Sequence, residues 1–553
     1  MLFHTWPFLI FMLTVLPVFF ALRRTPFWIP WLMAASYFFY GWWNPYYLLL
    51  VVYSTALDFL LVTLMDHCPL PHPESAKVAG TLRVPSAQGG GESGRHTACA
   101  CCLMSLRDPV LKAAFLLAGG LALVLAGAAV AGPTTLRPAS LVFALLVLLV
   151  ALGALLGNRR IWLVISIVNN LALLLFFKYA RFVAGNLNGV LGWLGLRYHF
   201  ADPSSLMPYG WSYVLPVGIS FFTFQSMSYT IDFYLGKVPR ERNFLRFATF
   251  VCFFPQLMAG PIERAKHLLP QFQQAPPFCV QNLTDGLSLF LVGLFKKLAL
   301  ANYLSLYVER VYDNPAEQGA AALVLATFAF AWQIFFDFSG YTDMARGVAR
   351  MMGFHLILNF NNPYLAGGLG EFWSRWHISL STWFRDYVYI PLGGSRRGTL
   401  WTYRNLFITF LVSGIWHGAN WTFAIWGMLH AFGVMLTREL ERSAFYRQRV
   451  PLALKQAWVF VYVCFTWIFF RAASLADALL IIRRIVGAAW SDPHIPALML
   501  SLVGLVWAYQ FIYESRLRPV LSTAPVRVAL AVGMMLYLCL CSSGGGTFIY
   551  FQF

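Results

Sequence analysis

Two histidines lie in stretches that are apolar enough to enter a membrane, and imidazole is the side chain best suited to proton transfer near neutral pH. His417 stands four residues after Ser413 and three residues before Asn420. On one continuous helix these three polar side chains would share a face. An ionisable side chain at bilayer depth is costly, so the pattern favours proton-transfer chemistry, with a packed, hydrogen-bonded histidine as the alternative. Asp337 could orient such a histidine, although helix capping explains that residue equally well.

His377 belongs to a second aromatic stretch, which runs from residue 371 to residue 394. Its large apolar residues recur at steps of three and four: Trp373, Trp376, Leu380, Trp383 and Tyr387. A polar stripe lies beside them: Arg375, Ser379, Thr382 and Asp386. The spacing predicts one amphipathic helix, which Pro391 and the glycines that follow it should end.

Glycines beside His417 predict a close helix contact. Gly414 and Gly418 are four residues apart, and such a pair of small residues lets another helix approach closely within a membrane. The apolar run that contains them, residues 407–437, is predicted to form two segments.

Arginines follow the aromatic stretch in a basic turn, where Arg396 and Arg397 come shortly before Arg404. Arginine clusters bind phosphate groups, so this turn is a candidate site for a phosphorylated substrate. Ordinary basic flanking of a membrane span explains the same residues equally well.

The composition places the chain in the membrane class. Hydrophobic residues make up 59% of the sequence and charged residues only 11%, whereas a soluble domain carries about twice that charged fraction. The net charge of +18 comes from Lys and Arg in short clusters between apolar runs. That pattern predicts positive-inside topology and contact with membrane lipids, and it argues against a nucleic-acid partner.

Apolar runs predict the membrane spans. They cover residues 6–22, 27–42, 46–65, 111–131, 141–156, 161–179, 287–304, 322–338, 407–437, 458–470, 497–512 and 528–541. Residues 186–208 are predicted to lie outside the membrane. A polar run at 213–234 with Pro216 and Gly218 predicts a broken span, and basic flanks on both sides of 244–261 predict a re-entrant pair.

These patterns divide the chain into segments: N-terminal transmembrane helices (1–65), a flexible cytoplasmic loop (66–110), two additional transmembrane helices (111–157), a core with both histidines (158–440), C-terminal transmembrane helices (441–543) and a flexible aromatic tail (544–553). The loop contains residues of metal-ligand type: His67, Cys68, His72, His96, Cys99, Cys101 and Cys102. Their spacing fits no zinc module, so no metal site is predicted. Incidental or palmitoylated cysteines beside the membrane are the simpler interpretation.

Several motifs resemble the membrane-bound O-acyltransferase family, in particular its bacterial branch that acetylates polysaccharides such as alginate. The matching motifs are LPVGISF at 215–221, DFSGY at 337–341, WFRDYVYIPLGG at 383–394 and GIWHG at 414–418. The resemblance covers most of the chain outside residues 66–156. It implies an all-α polytopic integral membrane protein with a helical core, a central tunnel, and re-entrant and amphipathic helices. It also implies that His417 is the catalytic histidine and His377 the second functional histidine.

The resemblance further implies a bacterial inner-membrane enzyme that moves an acetyl group from cytoplasmic acetyl-CoA to an exported polysaccharide such as alginate or cellulose. We expect no tightly bound cofactor, and we expect a periplasmic acetyltransferase or accessory subunits of a polysaccharide acetylation complex as partners. The predicted substrate-binding residues are Trp373, Arg375, Trp376, Ser413, Asn420, Arg396 and Arg397. The two arginines of the basic turn would hold the phosphates of coenzyme A.

The last residues combine three glycines with an aromatic segment, TFIYFQF at 547–553. An apolar tip after a flexible hinge suggests insertion into a groove. The segment resembles an ending, Phe-x-Tyr-x-x-Phe, that occurs in this family and in the small partner subunit of the related D-alanyl transfer system. That resemblance makes Tyr550 a candidate acyl relay, with an interfacial aromatic anchor as the alternative.

Two other functions fit parts of the sequence. A transporter or polysaccharide exporter would also have many spans, broken helices and intramembrane polar residues, but no second copy of the 373–394 pattern indicates the internal repeat that such proteins often carry. Acylation of a lipid or of a secreted protein would use the same chemistry with another acceptor. The sequence leaves the acceptor open.

Overall fold

The computed structural model describes residues 1–68, 158–207, 212–487, 489–490 and 496–541. The predictions for the loop beyond Cys68, for the helices at 111–157 and for Tyr550 in the tail lie outside these described residues. Every regular element within the described residues is a helix. The predicted all-α class is therefore confirmed.

The helices follow one another closely in the described part of the chain. In order they are α1 Trp6–Leu22, α2 Trp28–Gly41, α3 Pro45–Asp66, α4 Arg159–Leu174, α5 Ala180–Trp193, α6 Ile219–Tyr234, α7 Phe244–Cys252, α8 Phe254–Leu257, α9 Ala265–Leu268, α10 Val280–Phe295, α11 Asn302–Tyr312, α12 Ala320–Met351, α13 Leu369–Arg375, α14 Ile378–Phe384, α15 Thr399–His417, α16 Trp421–Arg442, α17 Ala444–Arg449, α18 Leu452–Arg471, α19 Leu475–Gly487, α20 Ala497–Glu514, α21 Arg518–Leu521 and α22 Ala524–Cys541.

Several of these helices are long and apolar enough to cross a membrane. Within the described residues seven candidates meet both criteria: Pro45–Asp66, Arg159–Trp193, Val280–Tyr312, Ala320–Met351, Leu452–Arg471, Ala497–Glu514 and Ala524–Cys541. The shorter apolar helix α1 has the same bounds as the first predicted span. The chain is a multi-pass integral membrane protein, as its composition predicted.

Short π-helical turns join some consecutive helices into longer runs. Leu175–Tyr179 joins α4 to α5, and Lys296–Ala301 joins α10 to α11. The helix does not end near residue 179, where the predicted span ends, because the π-helical turn carries it through Lys178 and on to Trp193. Turns of this kind are often found at functional sites.

The breaks predicted from proline, glycine and charge are present. Gly218 adopts a left-handed φ of +77° directly before α6, and an added Cβ there would lie 2.5 Å from the carbonyl oxygen of Leu257. Only glycine fits that approach without a shift of backbone. The predicted re-entrant stretch consists of two short helices, α7 and α8, separated at Phe253.

The chain divides into two compact units. The first comprises Met1–Leu48, Leu215–Gln225 and Thr249–Phe553, and the second comprises Leu49–Val214 and Ser226–Ala248. Both histidines of the predicted site belong to the first unit.

A buried carboxylate joins three helices of the second unit. Asp58 on α3 accepts a hydrogen bond from Ser166 Oγ at 2.6 Å and one from Asn170 Nδ2 at 2.9 Å, both on α4. The hydroxyl of Ser226 on α6 also donates to it. Interhelical hydrogen bonds of this kind hold helices together where lipid removes the hydrophobic driving force.

In the first unit, glycines allow α10 and α12 to cross closely. An added Cβ on Gly293 would lie 2.5 Å from the carbonyl oxygen of Gly340, and one on Gly286 would lie 2.6 Å from that of Gly347. The two backbones are therefore in direct contact at two levels, seven residues apart on each helix.

One buried and one half-buried ion pair accompany this crossing. Lys297 Nζ lies 2.6 Å from Asp337 Oδ1, and Lys296 Nζ lies 2.7 Å from Asp343 Oδ2. Asp337 stands in the middle of the 32-residue helix α12, so its predicted capping role is wrong. α12 continues past Asp337 to Met351. Lys297 neutralises the Asp337 carboxylate inside the protein.

Candidate active site

The aromatic stretch around His377 is two helices instead of the one that its periodicity predicted. α13 ends at Arg375, Trp376 is extended, and His377 has the left-handed angles φ 42° and ψ 55° before α14 begins. The neighbouring chain explains the break, because the N–H of Ile378 donates to the carbonyl oxygen of Asn359 at 2.9 Å. A tertiary contact therefore overrides the local helical pattern.

Four of the five residues of the predicted apolar face are buried in spite of this break, and the fifth, Tyr387, is half-buried. Trp373, Trp376, Leu380 and Trp383 are at most 9% exposed. The Trp383 indole stacks on Phe224 at 3.8 Å between ring centroids. The spacing of apolar residues at steps of three and four thus predicted most of the buried side chains, although two helices carry them instead of one.

His377 is completely buried among aromatic rings and one polar group. Its Nδ1 lies 3.2 Å from the side-chain oxygen of Asn359, and its ring meets Phe338 edge-on with the centroids 4.6 Å apart. His377 lies outside the candidate spans, and burial lowers its pKa from the ordinary 6.5 to about 3. The imidazole is therefore neutral at physiological pH.

His417 is the last residue of α15 and is 5% exposed. Its ring makes edge-on contacts with Trp416, Trp426 and Phe470 at centroid distances of 4.9, 5.0 and 5.3 Å. These rings shield the imidazole from bulk water, which strengthens the electrostatic effect of any charge that forms there.

The predicted polar face of Ser413, His417 and Asn420 is wrong. Ser413 lies one turn before His417 on α15 and is buried, but α15 ends at His417. Asn420 instead begins α16, where its side chain accepts from the N–H of Thr422 at 3.2 Å and donates to the carbonyl of Ala473 at 3.0 Å. The chain leaves the helix at Gly418, where an added Cβ would lie 2.1 Å from the Phe423 ring, so only glycine allows this close approach.

Aromatic rings connect the two histidines along two routes. On one route Phe221 is 6.3 Å from His377 and 6.1 Å from Trp416, which borders His417. On the other route Trp376, beside His377 in sequence, meets Trp467 at 5.2 Å. Trp467 in turn stacks on Trp426 at 5.9 Å. We call this set the aromatic shell: Phe221, Trp376, Trp416, Trp426 and Trp467.

A third histidine, His430, packs against the aromatic shell. Trp373 Nε1 donates to His430 Nδ1 at 3.3 Å, and the other ring nitrogen lies 3.0 Å from the hydroxyl of Thr466. Both nitrogens of this fully buried ring are thus engaged, which is the behaviour of a packing residue.

The predicted substrate-binding arginines differ in their surroundings. Arg375 forms ion pairs with Glu371 at 2.8 Å and with Glu514 at 3.1 Å. Arg396 and Arg397 lie on an exposed turn before α15. Arg375 therefore has a structural partner on each side, whereas the two arginines of the turn are accessible to a phosphorylated molecule.

The structure also bears on metal chemistry. Across the part of the chain that is described, His, Cys, Asp and Glu form no group of three or more that could hold a metal ion. The acid–base groups that the described site offers are the histidine side chains.

Comparison with known proteins finds similarity over the region that contains this site. Residues 237–476, which contain both histidines, match the membrane-bound O-acyltransferase family. The chain is 41% identical over 333 residues to the probable alginate O-acetylase of Pseudomonas putida, an alignment that covers 60% of this chain and 64% of that protein.

Two other relatives extend the comparison. The chain is 36% identical over 356 residues to the peptidoglycan O-acetyltransferase of Helicobacter pylori, covering 60% of this chain and 65% of that protein. It is 30% identical over 233 residues to the teichoic acid D-alanyltransferase of Streptococcus thermophilus, covering 40% and 56%. The chain thus spans less than two thirds of the length of these curated relatives. Its helical region from residue 237 to residue 476, with His377 and His417 inside it, matches the membrane-bound O-acyltransferase family.

Proposed function

We propose that the protein is a membrane O-acetyltransferase of the bacterial inner membrane that acetylates an exported polysaccharide, with acetyl-CoA as donor. The observation that carries the proposal is the enclosure of His377 and His417, both inside the matched region, by one aromatic shell. Relatives named for O-acetylation of alginate and of peptidoglycan support acetyl as the transferred group.

In the proposed reaction, His417 acts as general base. Its imidazole takes the proton from a hydroxyl of the acceptor while that oxygen attacks the thioester carbonyl. The carbon–sulfur bond then breaks, and the imidazolium returns the proton to the leaving thiolate, so that the products are an acetyl ester and free coenzyme A. General base catalysis by such a group contributes about 10²–10⁴-fold in rate.

The aromatic shell would protect this chemistry from water. A thioester that meets water at an activated base is hydrolysed, and the donor is then lost without transfer. Trp416 and Trp426 both contact the His417 ring in edge-to-face geometry. With water excluded by these rings, the acceptor hydroxyl would be the nucleophile that His417 activates.

Donor and acceptor would reach His417 from opposite sides of the membrane through the tunnel that family membership suggests. Arg396 and Arg397 on their exposed turn would bind the phosphates of coenzyme A. Tyr550 would receive the acetyl group as an intermediate carrier and pass it to a periplasmic acetyltransferase or directly to the polysaccharide. Alginate and cellulose are both acceptors with suitable hydroxyls.

Replacement of His417 tests the proposal. We expect His417→Gln to lower acetyl transfer from labelled acetyl-CoA at least about 100-fold in membranes, because glutamine keeps much of the volume but cannot accept the proton. His355→Gln is the matched control, since His355 is exposed and contacts Arg350. The control should retain activity within about twofold. Equal activity of the two variants would remove His417 from the reaction and with it the proposed mechanism.

A further inference from the structure

We propose that Asn359 is a positioning residue that fixes the proton of His377 on Nδ1, so that Nε2 accepts a hydrogen bond from a hydroxyl of the acceptor other than the one that His417 deprotonates. The inference rests on the proposed acyl transfer and specifies the role of its second histidine. From sequence that role was open between orienting a substrate and stabilising charge at the thioester carbonyl.

The first step identifies the atom that faces His377. The backbone N–H of Ser379 points at the Asn359 side chain, with 3.1 Å between Ser379 N and Asn359 Oδ1. A backbone N–H can only donate, so the atom that it meets is the amide oxygen and not the amide nitrogen. This contact fixes the orientation of the Asn359 amide independently of the histidine.

The second step assigns the histidine proton. His377 Nδ1 lies 3.2 Å from the same amide oxygen. Two acceptors at that distance would repel each other, so Nδ1 must carry a hydrogen and donate it. The Ser379 hydroxyl supports this assignment, because it lies closer to the amide oxygen, at 2.9 Å, than to Nδ1, at 3.4 Å. The Ser379 oxygen donates its hydrogen to the amide oxygen and keeps a lone pair that can accept from the Nδ1 hydrogen.

The third step concerns the strained backbone. His377 is one of two non-glycine residues with positive φ among the described residues, and such a conformation costs about 1–3 kcal/mol. Asn359 holds it from both sides, since its main-chain oxygen accepts from Ile378 N–H at 2.9 Å while its side-chain oxygen accepts from Ser379 N–H. One asparagine thus holds both the backbone and the ring of His377.

The ring is also held in its plane. Phe338 meets it edge-on at 4.6 Å, and Phe221 and Phe360 lie nearly parallel to it at 6.3 and 6.4 Å. A neutral imidazole with its hydrogen on Nδ1 has a lone pair on Nε2. His377 can then accept a hydrogen bond from a hydroxyl but cannot donate one to an oxyanion. In the proposed reaction, Nε2 of His377 therefore accepts from a second hydroxyl of the acceptor, beside the one that His417 deprotonates.

The pH profile of acetyl transfer tests the role of Asn359. In Asn359→Asp, the carboxylate still accepts from Nδ1 but favours the imidazolium, which places a second hydrogen on Nε2. We expect activity at neutral pH to fall at least about tenfold and to recover as the pH rises, because deprotonation restores the lone pair. In the native enzyme no such alkaline recovery should occur. Asn359→Leu, which accepts no hydrogen bond, should lose kcat at least about tenfold at every pH with little change in the KM for acetyl-CoA.

The outcomes separate this inference from the proposed function. If the native enzyme transfers acetyl and His417→Gln does not, but Asn359→Asp follows the native pH profile, Asn359 has no positioning role and the function stands. If the variants are only destabilised, Asn359→Asp loses activity at neutral pH and does not recover it as the pH rises. That result would also overturn the inference. Nitrogen-15 NMR of histidine-labelled protein gives a readout that needs no activity. The signal that disappears in His377→Gln belongs to His377. We expect it to show a ring protonated on Nδ1 and to change in Asn359→Leu. A His377 signal protonated on Nε2 would refute the proposal.

Discussion

At the scale of single residues, the two histidines of the site are held in different ways. His377 is hydrogen-bonded to Asn359 and fixed in a strained turn. His417 ends a helix and meets the edges and faces of three rings. A base must change its protonation state during the reaction, whereas an orienting group must not, and this difference in surroundings matches the two proposed roles.

Tyr550 provides a prediction at this scale that rests on sequence alone. Tyr550→Phe removes the only atom that could carry an acetyl group on that side chain, so delivery to the polysaccharide should be lost while the protein remains folded. Mass spectrometry of protein incubated with acetyl-CoA should find acetyl on the peptide that contains Tyr550. Tyr198→Phe, at an exposed position, is the control. Full delivery by Tyr550→Phe would leave the aromatic anchor as the better interpretation.

The sequence singled out the two histidines as candidates but did not single out the asparagine. An imidazole in an apolar run stands out by type, whereas Asn359 lies 18 residues before His377 in an irregular segment with no period. Its role depends on a fold-back of the chain that no local pattern encodes. The same reason explains the error at Asn420, where the end of α15 separates residues that a continuous helix would have aligned.

At the scale of elements, the packing of α15 against α16 positions His417. The Cα of Gly414 faces Gly427, and an added Cβ on Gly414 would lie 2.3 Å from the carbonyl oxygen of Phe423. His417 follows three residues later on the same helix. Any separation of the two helices therefore moves the proposed base relative to Trp426.

Gly414→Ala tests this arrangement. The added methyl group forces the two backbones apart, and overpacking of this kind costs about 1–3 kcal/mol. We expect a lower midpoint of thermal unfolding in detergent together with reduced acetyl transfer. Gly504→Ala is the matched control, because Gly504 is also helical but has open space around its Cα. If both variants have the same unfolding midpoint as the native protein, the close contact at Gly414 does not stabilise the protein.

Helix positions were easier to predict than helix breaks. Apolar runs gave α1 with its observed bounds and gave α15 and α16 as two segments of one run. The break at His377 was not predictable, because the apolar period continues across it and the cause is a hydrogen bond to a distant residue. The π-helical turn at Leu175–Tyr179 was missed because no proline or glycine marks it.

At the scale of the whole molecule, the first unit contains a buried pair of opposite charges. Lys297 and Asp337 are each 3% exposed in the first unit, and their charged atoms are 2.6 Å apart. Loss of one member of a buried pair leaves an uncompensated charge and costs about 3–5 kcal/mol. Replacement of both members by apolar residues of similar volume is often neutral.

A set of variants tests whether this pair is required for folding. Asp337→Leu alone should strongly lower the yield of folded protein, and the double variant Lys297→Met with Asp337→Leu should recover it. Arg442→Met, which removes an exposed partner of Glu439, is the control and should change stability by no more than about 1 kcal/mol. Size-exclusion profiles and unfolding temperatures measure both effects. A double variant as unstable as the single one would show that the lysine and aspartate act through other contacts.

Composition predicted the class of the whole molecule better than it predicted its internal organisation. The low charged fraction and the apolar runs indicated a multi-pass membrane protein, and the described helices agree with that class. The buried carboxylate cluster around Asp58 could not be predicted, because Ser166 and Ser226 are separated from it by 108 and 168 residues. Such long-range polar contacts depend on which helices pack against one another, and no local sequence pattern indicates that.

The most direct measurement follows labelled acetyl in sealed proteoliposomes of the purified protein, with acetyl-CoA outside and the polysaccharide acceptor inside, together with any periplasmic partner. For molecules inserted with their cytoplasmic face outward, we predict labelled polysaccharide in the lumen with the native chain and background with His417→Gln. Equal luminal labelling by the two proteins, or release of free acetate alone by the native chain, would contradict acyl transfer at His417.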